Sequence, residues 1–461
     1  MVKSMPAPEP RRQTGRDRLL PTATRRILHV DVDAFLASVE IAMHPELTGK
    51  CVVIGGSPGS RNIVMSSSYE ARAFGVRPGI PLAEAKRRCP HAIFRKGSSQ
   101  EANRLRGELT RLLLEFTPRI AVTSVDDFLL DLTDAALLHG DAASTAERIH
   151  LAARERLHLP LSIGVGTNPL LARLAGKIAK PGRVAELLPG LEDAWLRNLP
   201  VNSLPGVGHS IGRHLARFSI RTVGDLRHVS RELLYASFGR PGLVLFERCR
   251  GIDSSAVEAS HWVDDAGQLS SRPPKSIRRE STFEPEEARF DLVEAMLAYL
   301  VERAAAKLRS HGQAVRSLEV TLRYVDTRTQ KQIDSSPISS RTLRKQRKLP
   351  RPTDATLVLV EHARKILTEL PRRRALVKRV GVAFHGLAQT GGWQGNLFND
   401  NTADEEHAAR DDRHRRIDSA VDTLREKLGF GLVLRGSCLP LIETHPLDED
   451  GFELRTPSLN Q

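Results

Sequence analysis

Cysteine is scarce: Cys51, Cys89, Cys249 and Cys438 are scattered through 461 residues with no C-x-x-C pair. That spacing suggests neither a disulfide framework nor a structural zinc, and it fits a reducing cytosol. No apolar run approaches the roughly 18 residues needed to cross a bilayer, which sets a membrane protein aside. The first residues, "MVKSMPAPEPRRQTGRDRLLPTATRR", lack an apolar h-region, so 1–26 reads as a disordered basic arm and not as a signal peptide. There is no G-x-x-x-x-G-K-[ST] loop, so a P-loop ATPase or helicase has no support. No internal repeat points to a solenoid.

What is present is positive charge. Lys and Arg number 69 against 55 Asp and Glu, a net charge of +14 and a pI near 10.0. Such a balance attracts a polyanion, nucleic acid ahead of a membrane surface. With 40% hydrophobic and 27% charged residues the composition is that of a soluble globular protein, and the length predicts three or four domains.

Along the chain, "RILHVDVDAFLASVE" predicts a strand over Ile27 to Val32 that turns helical, with Asp31 near the strand's end. "CVVIGG" predicts a second strand, and "SYEARAFG" and "IPLAEAKRRCP" predict helices stopped by glycine and proline. Helical patterns dominate 188–262, and the polar, proline-broken 263–275 predicts a linker. Beyond it the order is strand, helix, strand, basic strand, helix, strand, the β-α-β-β-α-β sequence of a ferredoxin-like domain. A Gly-, Asn- and Asp-rich tail follows from 388, with a helix over "RIDSAVDTLREKLG".

The candidate chemistry lies in carboxylates. "TSVDDFLLDLT" sets Asp126 and Asp127 side by side in a run that otherwise reads as a buried strand, where repulsion and desolvation both oppose them. If that strand neighbours the one ending at Asp31, three carboxylates converge on a metal site. Hard oxygen donors without His or Cys favour Mg²⁺ over zinc. From spacing alone, solvent-facing aspartates in turns are an equal alternative.

"HVDVDAFLASVE", "SSSYEARAFGVRPGIPLAEAKRRCP", "TSVDDFLLDLT", "IGVGTNPLLARLAGKIAKPG" and "LPGVGHSIGRHLARF" together resemble the ordered motifs of Y-family DNA polymerases, most closely the DinB branch. The resemblance implies an α+β fold: a right-hand core of palm, fingers and thumb with a ferredoxin-like little finger. It places the palm at 27–42 and 99–187, the fingers at 43–98, the thumb at 188–262, the linker at 263–275, the little finger at 276–387 and a tail at 388–461. It implies a distributive, low-fidelity translesion polymerase without proofreading, acting on primer-template DNA, monomeric and cytoplasmic at the nucleoid. Asp31, Asp126 and Asp127, with the carbonyl of Val32, would hold two Mg²⁺ ions, for which Mn²⁺ can substitute. Ser66, Tyr69, Arg72 and Lys180 would hold the nucleotide triphosphate, where cations and hydroxyls offset phosphate charge.

Two positions depart from the family pattern. Asp127 stands where Glu is usual, and the shorter reach predicts weaker hold on the ion that activates the primer 3′-hydroxyl. Leu36 stands where Phe or Tyr packs beneath the sugar, which predicts weakened exclusion of ribonucleotides, so that dNTP and rNTP both become substrates. The alternative is that Leu36 packs in the core.

Other motifs concern DNA and partners. "LPGVGHSIGRHL" resembles a helix-hairpin-helix in which Gly206 and Gly208 let backbone amides approach a phosphate. Arg341, Arg344, Lys345, Arg347, Lys348 and Arg351, and the cluster Arg372 to Arg374 with Lys378 and Arg379, predict backbone tracking on duplex DNA. "QGNLF" resembles the peptide that grips the sliding clamp, through Gln394, Leu397 and Phe398. The rival readings are a non-catalytic adaptor that binds DNA and clamp, and a basic nucleic-acid-binding protein with no nucleotide site.

Overall fold

The structure is a computed structural model, and the residues it describes are 24–58, 62–325, 342–390, 401–452 and 454, with side chains in the last long helix from 413 onward. The chain divides between Arg272 and Pro273 into two compact units.

The first unit is built on a five-stranded sheet in the order β5-β6-β1-β7-β8. These strands are β1 (Ile27–Val32), β5 (Ile120–Val122), β6 (Asp127–Asp131), β7 (Leu161–Gly166) and β8 (Val184–Glu186). β1 lies in the middle, antiparallel to both β6 and β7. Its apolar run is buried on both faces because helices cover both: α4 (Ser99–Leu114) and α6 (Ala142–Leu157), which follows the one-turn α5 (Ala136–His139), on one side, and α7 (Pro169–Ala179) on the other. α7 comes unusually close. A Cβ on Gly164 of β7 would meet the Ala172 carbonyl at 2.1 Å, and one on Gly176 of α7 would meet His29 Nδ1 at 2.7 Å. Glycine at both positions lets backbone pack on backbone.

After β1 the chain enters α1 (Phe35–Met43) and then a small layer of its own. β2 (Val52–Ile54) pairs with β3 (Ser66–Ser67) and, in parallel, with β4 (Ile93–Arg95); α2 (Tyr69–Ala73) and α3 (Leu82–Arg88) complete it. Its core is small: Cys51, Val53, Val64, Ala71, Val76, Leu82, Ala85, Cys89 and Ala92. The helical stretch expected over 188–262 consists of α8 (Glu192–Arg197), α9 (His209–Arg217), α10 (Val223–Arg227), α11 (Arg231–Phe238) and α12 (Arg240–Arg248), around Leu204, Leu215, Leu226 and Leu245.

The stretch 263–275, expected to be a linker, carries secondary structure of its own. β9 (His261–Val263) and β10 (Leu269–Ser271) form a hairpin. Ser260 fastens it to the sheet edge at β5, its N–H donating to Ile120 and its hydroxyl accepting from the Val122 N–H, both at 2.8 Å. Polarity here marks a solvent-facing strand pair.

The second unit has a four-stranded antiparallel sheet, β11-β14-β12-β13, from β11 (Ser276–Glu287), β12 (Gln313–Tyr324), β13 (Thr342–Thr353) and β14 (Val377–Gln389). The chain order is the expected β-α-β-β-α-β, in a split arrangement with β14 inserted between β11 and β12. α13 (Phe290–Ser310) and α14 (Thr356–Glu369) pack on the face formed by Leu318, Val320, Leu322 and Tyr324. The tail, expected to carry one helix, also folds onto this unit. Its helix α15 (Asn401–Leu428) is longer than the sequence pattern suggested, and Arg425 reaches Glu302 of α13 at 2.6 Å in the buried interior.

Candidate active site

The register of β1 and β6 sets Asp31 directly opposite Asp127, so the two stand side by side on one face of the sheet. The strand begins at Asp127, and Asp126 belongs to the turn before it; its carbonyl accepts the Val32 N–H at 2.9 Å. The sequence pattern had set both aspartates within the run. Alternation along β1 turns His29 and Asp31 toward α7, which is why Gly176 faces His29.

Cations on α7 and on the turn that follows it meet these carboxylates. Arg173, Lys177 and Lys180 recur on one side of the helix, four and then three residues apart. Lys180 Nζ lies 2.5 Å from Asp31 Oδ1, and Arg173 lies 3.1 Å from Asp127 Oδ2. The other Asp127 oxygen is 2.5 Å from His29 Nε2. Asp126 takes a hydrogen bond from the Ser124 hydroxyl at 2.5 Å. Burial pushes the Asp31 carboxyl above its usual range, with the Asp126 charge adding to the rise and Lys180 opposing it. Burial acts on Asp127 in the same sense, but His29 and Arg173 outweigh it and hold that carboxyl below its usual range. Lys177 is pushed down by burial and by Arg173 and Lys180.

The sequence-predicted residues therefore fall into two groups. Asp31, Val32, Asp126, Asp127 and Lys180 come together. Asp127, however, is turned to His29 and Arg173, and the oxygens of the three aspartates do not all lie within 4.8 Å of one another. Ser66, Tyr69 and Arg72 stand next to the turn after β1. The Ser66 hydroxyl donates to the Ala34 carbonyl at 3.0 Å, the Tyr69 hydroxyl donates to Asp33 at 3.0 Å, and Arg72 stacks over the Tyr69 ring at 4.4 Å. Burial and the Asp33 charge raise Tyr69 to about 12, so it is a neutral donor. Leu36 is 9% exposed, near the start of α1.

Three residues of this centre were missed. Asp33 is 1% exposed and accepts from Tyr69, from Ser162 at 2.7 Å and from the Gly182 N–H at 2.6 Å, tying three segments to the end of β1. The i, i+2 spacing of "DVD" was the available signal, since only one of the two aspartates was weighed. His29, two residues before Asp31, was legible by the same alternation. Arg173 carried no signal, because nothing local says which way α7 faces.

The predicted DNA contacts divide as well. Gly206 has a φ of 98°, and Arg248 supports its turn by donating to the Pro205 carbonyl at 2.8 Å. A Cβ on Gly208 would meet nothing within 4 Å, so the protein leaves open space at the start of α9. Strand alternation splits the basic run on β13. Arg344 and Lys348 pair with Thr321 and Ser317 on the helix-free face, whereas Lys345 and Arg347 lie on the helix side and reach Glu369 at 2.8 and 2.5 Å. One continuous row of DNA-facing cations is therefore not what the strand presents. Arg341, Gln394, Leu397 and Phe398 lie outside the described residues.

Family signatures match three stretches: the impB/mucB/samB family at 30–177, its C-terminal domain at 274–397, and the thumb domain of DNA polymerase iota at 202–253. The DNA polymerase IV of Dehalococcoides mccartyi is 32% identical over 415 residues, covering 90% of this chain and 97% of that protein. The chain belongs to the Y-family DNA polymerases. Its resemblance is to the DinB branch, and it is a DNA-directed DNA polymerase of the translesion type. In fold, a Y-family polymerase chimera covers 79% of this chain and all of its own length at a TM-score of 0.65 and 21% identity. DinB from Sulfolobus solfataricus matches over the same shares at 0.54 and 21%. This Y-family member thus has the mixed α/β architecture of its relatives, and like them it belongs with enzymes that use divalent metal ions.

Proposed function

We propose that this polymerase extends a primer 3′-hydroxyl with nucleoside triphosphates at the carboxylates Asp31, Asp126 and Asp127, on a DNA template, and that its sugar selectivity is relaxed. The observation that carries this is the β1–β6 register, which brings carboxylates far apart in sequence to one end of the sheet. The donor set is hard oxygen, the chemistry of Mg²⁺. Burial of Asp31 beside Asp126 is a like-charge cost that a cation offsets. The residues therefore fit two Mg²⁺ ions held by the three aspartates and the Val32 carbonyl, with Mn²⁺ as substitute. Bound there, the ions supply activation of the attacking hydroxyl and charge neutralisation at the leaving pyrophosphate.

The chain's own groups do the rest. Lys180 offsets Asp31 and lies where an ammonium can also meet phosphate oxygens; Arg72, held flat on Tyr69, presents a guanidinium fork to the same anion. Tyr69 and Asp33 fix the distance between α2 and the end of β1. Ser66, its hydroxyl engaged by the backbone, shapes the turn at Ala34 that leads to Leu36. Asp127 is kept ionised and oriented by His29 and Arg173, and its shorter arm makes it the weakest metal contact. Gly208 and the start of α9 receive a DNA phosphate, Arg344 and Lys348 track the backbone, and Gln394, Leu397 and Phe398 engage the sliding clamp. The enzyme works as a monomer. Among the described residues no helix is long and apolar enough to cross a membrane.

The test is primer extension by the full chain with Mg²⁺ or Mn²⁺, beside Asp126→Ala. Extension that the substitution abolishes supports the enzyme. DNA binding with no extension under either metal would leave the non-catalytic adaptor.

A further inference from the structure

The small layer after α1 contains a second cluster of metal-ligating atoms, unrelated to the aspartates. Cys51 immediately precedes β2, Cys89 caps the C-terminal end of α3, and His91 follows it in the turn to β4. One nitrogen, His91 Nε2, lies 3.4 Å from Cys51 Sγ and 3.5 Å from Cys89 Sγ. All three donor atoms fall within 4.8 Å of one another, the only such group of Cys, His and carboxylates among the described residues. The cysteines are 8% and 0% exposed, while His91 reaches solvent.

Hydrogen bonding accounts poorly for this arrangement. Nε2 carries either one proton or one lone pair, so it serves one thiol well and leaves the other to a weak sulfur–sulfur hydrogen bond between Cys51 and Cys89. A shared metal satisfies all three atoms together. Tetrahedral zinc, with bonds of about 2.3 Å to sulfur and about 2.0 to 2.1 Å to nitrogen, sets sulfur and nitrogen ligands about 3.5 Å apart. Both observed separations agree with that value. Two soft thiolates and an imidazole select zinc over Mg²⁺, so this site and the aspartate centre call for different ions.

We propose that Cys51, Cys89 and His91 bind one zinc ion, with the fourth position open to water on the His91 side. Binding displaces the two thiol protons to solvent and leaves both sulfurs as thiolates, with no change of oxidation state. The ion joins the head of β2 to the α3–β4 turn. Because two of the nine buried core residues of this layer are its ligands, occupancy contributes directly to folding there. The C-x-x-C rule missed the site because the cysteines are 38 positions apart, the difference between residues 89 and 51, and only the parallel pairing of β2 with β4 brings them together.

The experiment uses the reduced full-length chain. Zinc content is measured after dialysis, and Co²⁺ is titrated as a spectroscopic probe. The expected result is about one tightly held zinc per chain and, with Co²⁺, a thiolate-to-metal charge-transfer band with tetrahedral ligand-field absorption. Oxygen ligands at the aspartates cannot produce that band, so the result is independent of the polymerase reading. Cys89→Ser and His91→Ala should each lower zinc retention at least tenfold; His91 is exposed, so its variant keeps the core intact. Chelation should lower the thermal midpoint of wild type and leave His91→Ala unmoved. The proposal is overturned by a reduced wild type that takes up neither ion at this stoichiometry, by variants that retain zinc as wild type does, or by a Cys51–Cys89 disulfide that survives in the purified chain with no zinc bound.

Discussion

Asp127 and Leu36 are the two residues at which the sequence predicts a departure from the Y-family pattern, and the structure surrounds them differently. Asp127 is held on both oxygens, by His29 and by Arg173, so its position is well defined while its reach is short. Asp127→Glu adds a methylene, and we expect it to lower the Mg²⁺ concentration for half-maximal extension by about tenfold, the scale typical of changes around a metal. A metal titration of extension rate measures this. An unchanged or higher requirement would mean that Asp127 serves His29 and Arg173 and not the ion. Leu36 is buried near the start of α1, just past the Ala34 turn that Ser66 fixes. Restoring a flat ring with Leu36→Phe should raise discrimination against rNTP by about tenfold or more, as kcat/KM ratios of paired dNTP and rNTP. Equal ratios in the two proteins would assign Leu36 to packing alone.

β13 shows how an element sorts residues that look uniform in sequence. A period of two sends Arg344 and Lys348 to the helix-free face and Lys345 and Arg347 to the side where Glu369 meets them. Each neutralised phosphate contributes about 0.9 to the slope of log affinity against log salt. Arg344→Ala with Lys348→Ala should therefore reduce the slope for primer-template binding by about 2, whereas Lys345→Ala with Arg347→Ala should barely change it. Equal reductions from both pairs would refute the division. Alternation was legible in the sequence, because Leu318, Val320 and Leu322 already declared the buried face of the neighbouring strand. The pairing register that transfers this face to β13 was not.

Across the whole molecule, the tail belongs to the second unit. Glu302 is fully buried in α13, and its carboxyl is pushed up by burial against the pull of Arg425 and Arg435. Around this pair, Arg309 reaches Asp422 at 2.6 Å, Asp418 accepts the Thr356 N–H at 2.8 Å, and Arg415 reaches Asp354 at 2.7 Å. Removing one member of a buried pair leaves the other charge uncompensated. Glu302→Ala should destabilise the second unit by roughly 3 to 5 kcal/mol, read by thermal or denaturant unfolding. Replacing both partners, Glu302→Met with Arg425→Met, should recover most of that loss. If the double variant is no more stable than the single one, the pair is not what joins tail to domain.

The sequence alone determined the alternating strands and the helices, because these rest on local order and periodicity, and its ordered motifs supplied the resemblance that made Asp31, Asp126, Asp127 and Lys180 candidates. It could not tell which groups meet. That Asp31 faces Asp127, that His29 and Arg173 hold one carboxylate and Lys180 another, that Asp33 gathers three segments, and that Cys51, Cys89 and His91 converge were decided by strand register and by the close seating of α7. Such contacts join residues far apart in sequence, and no local propensity encodes them.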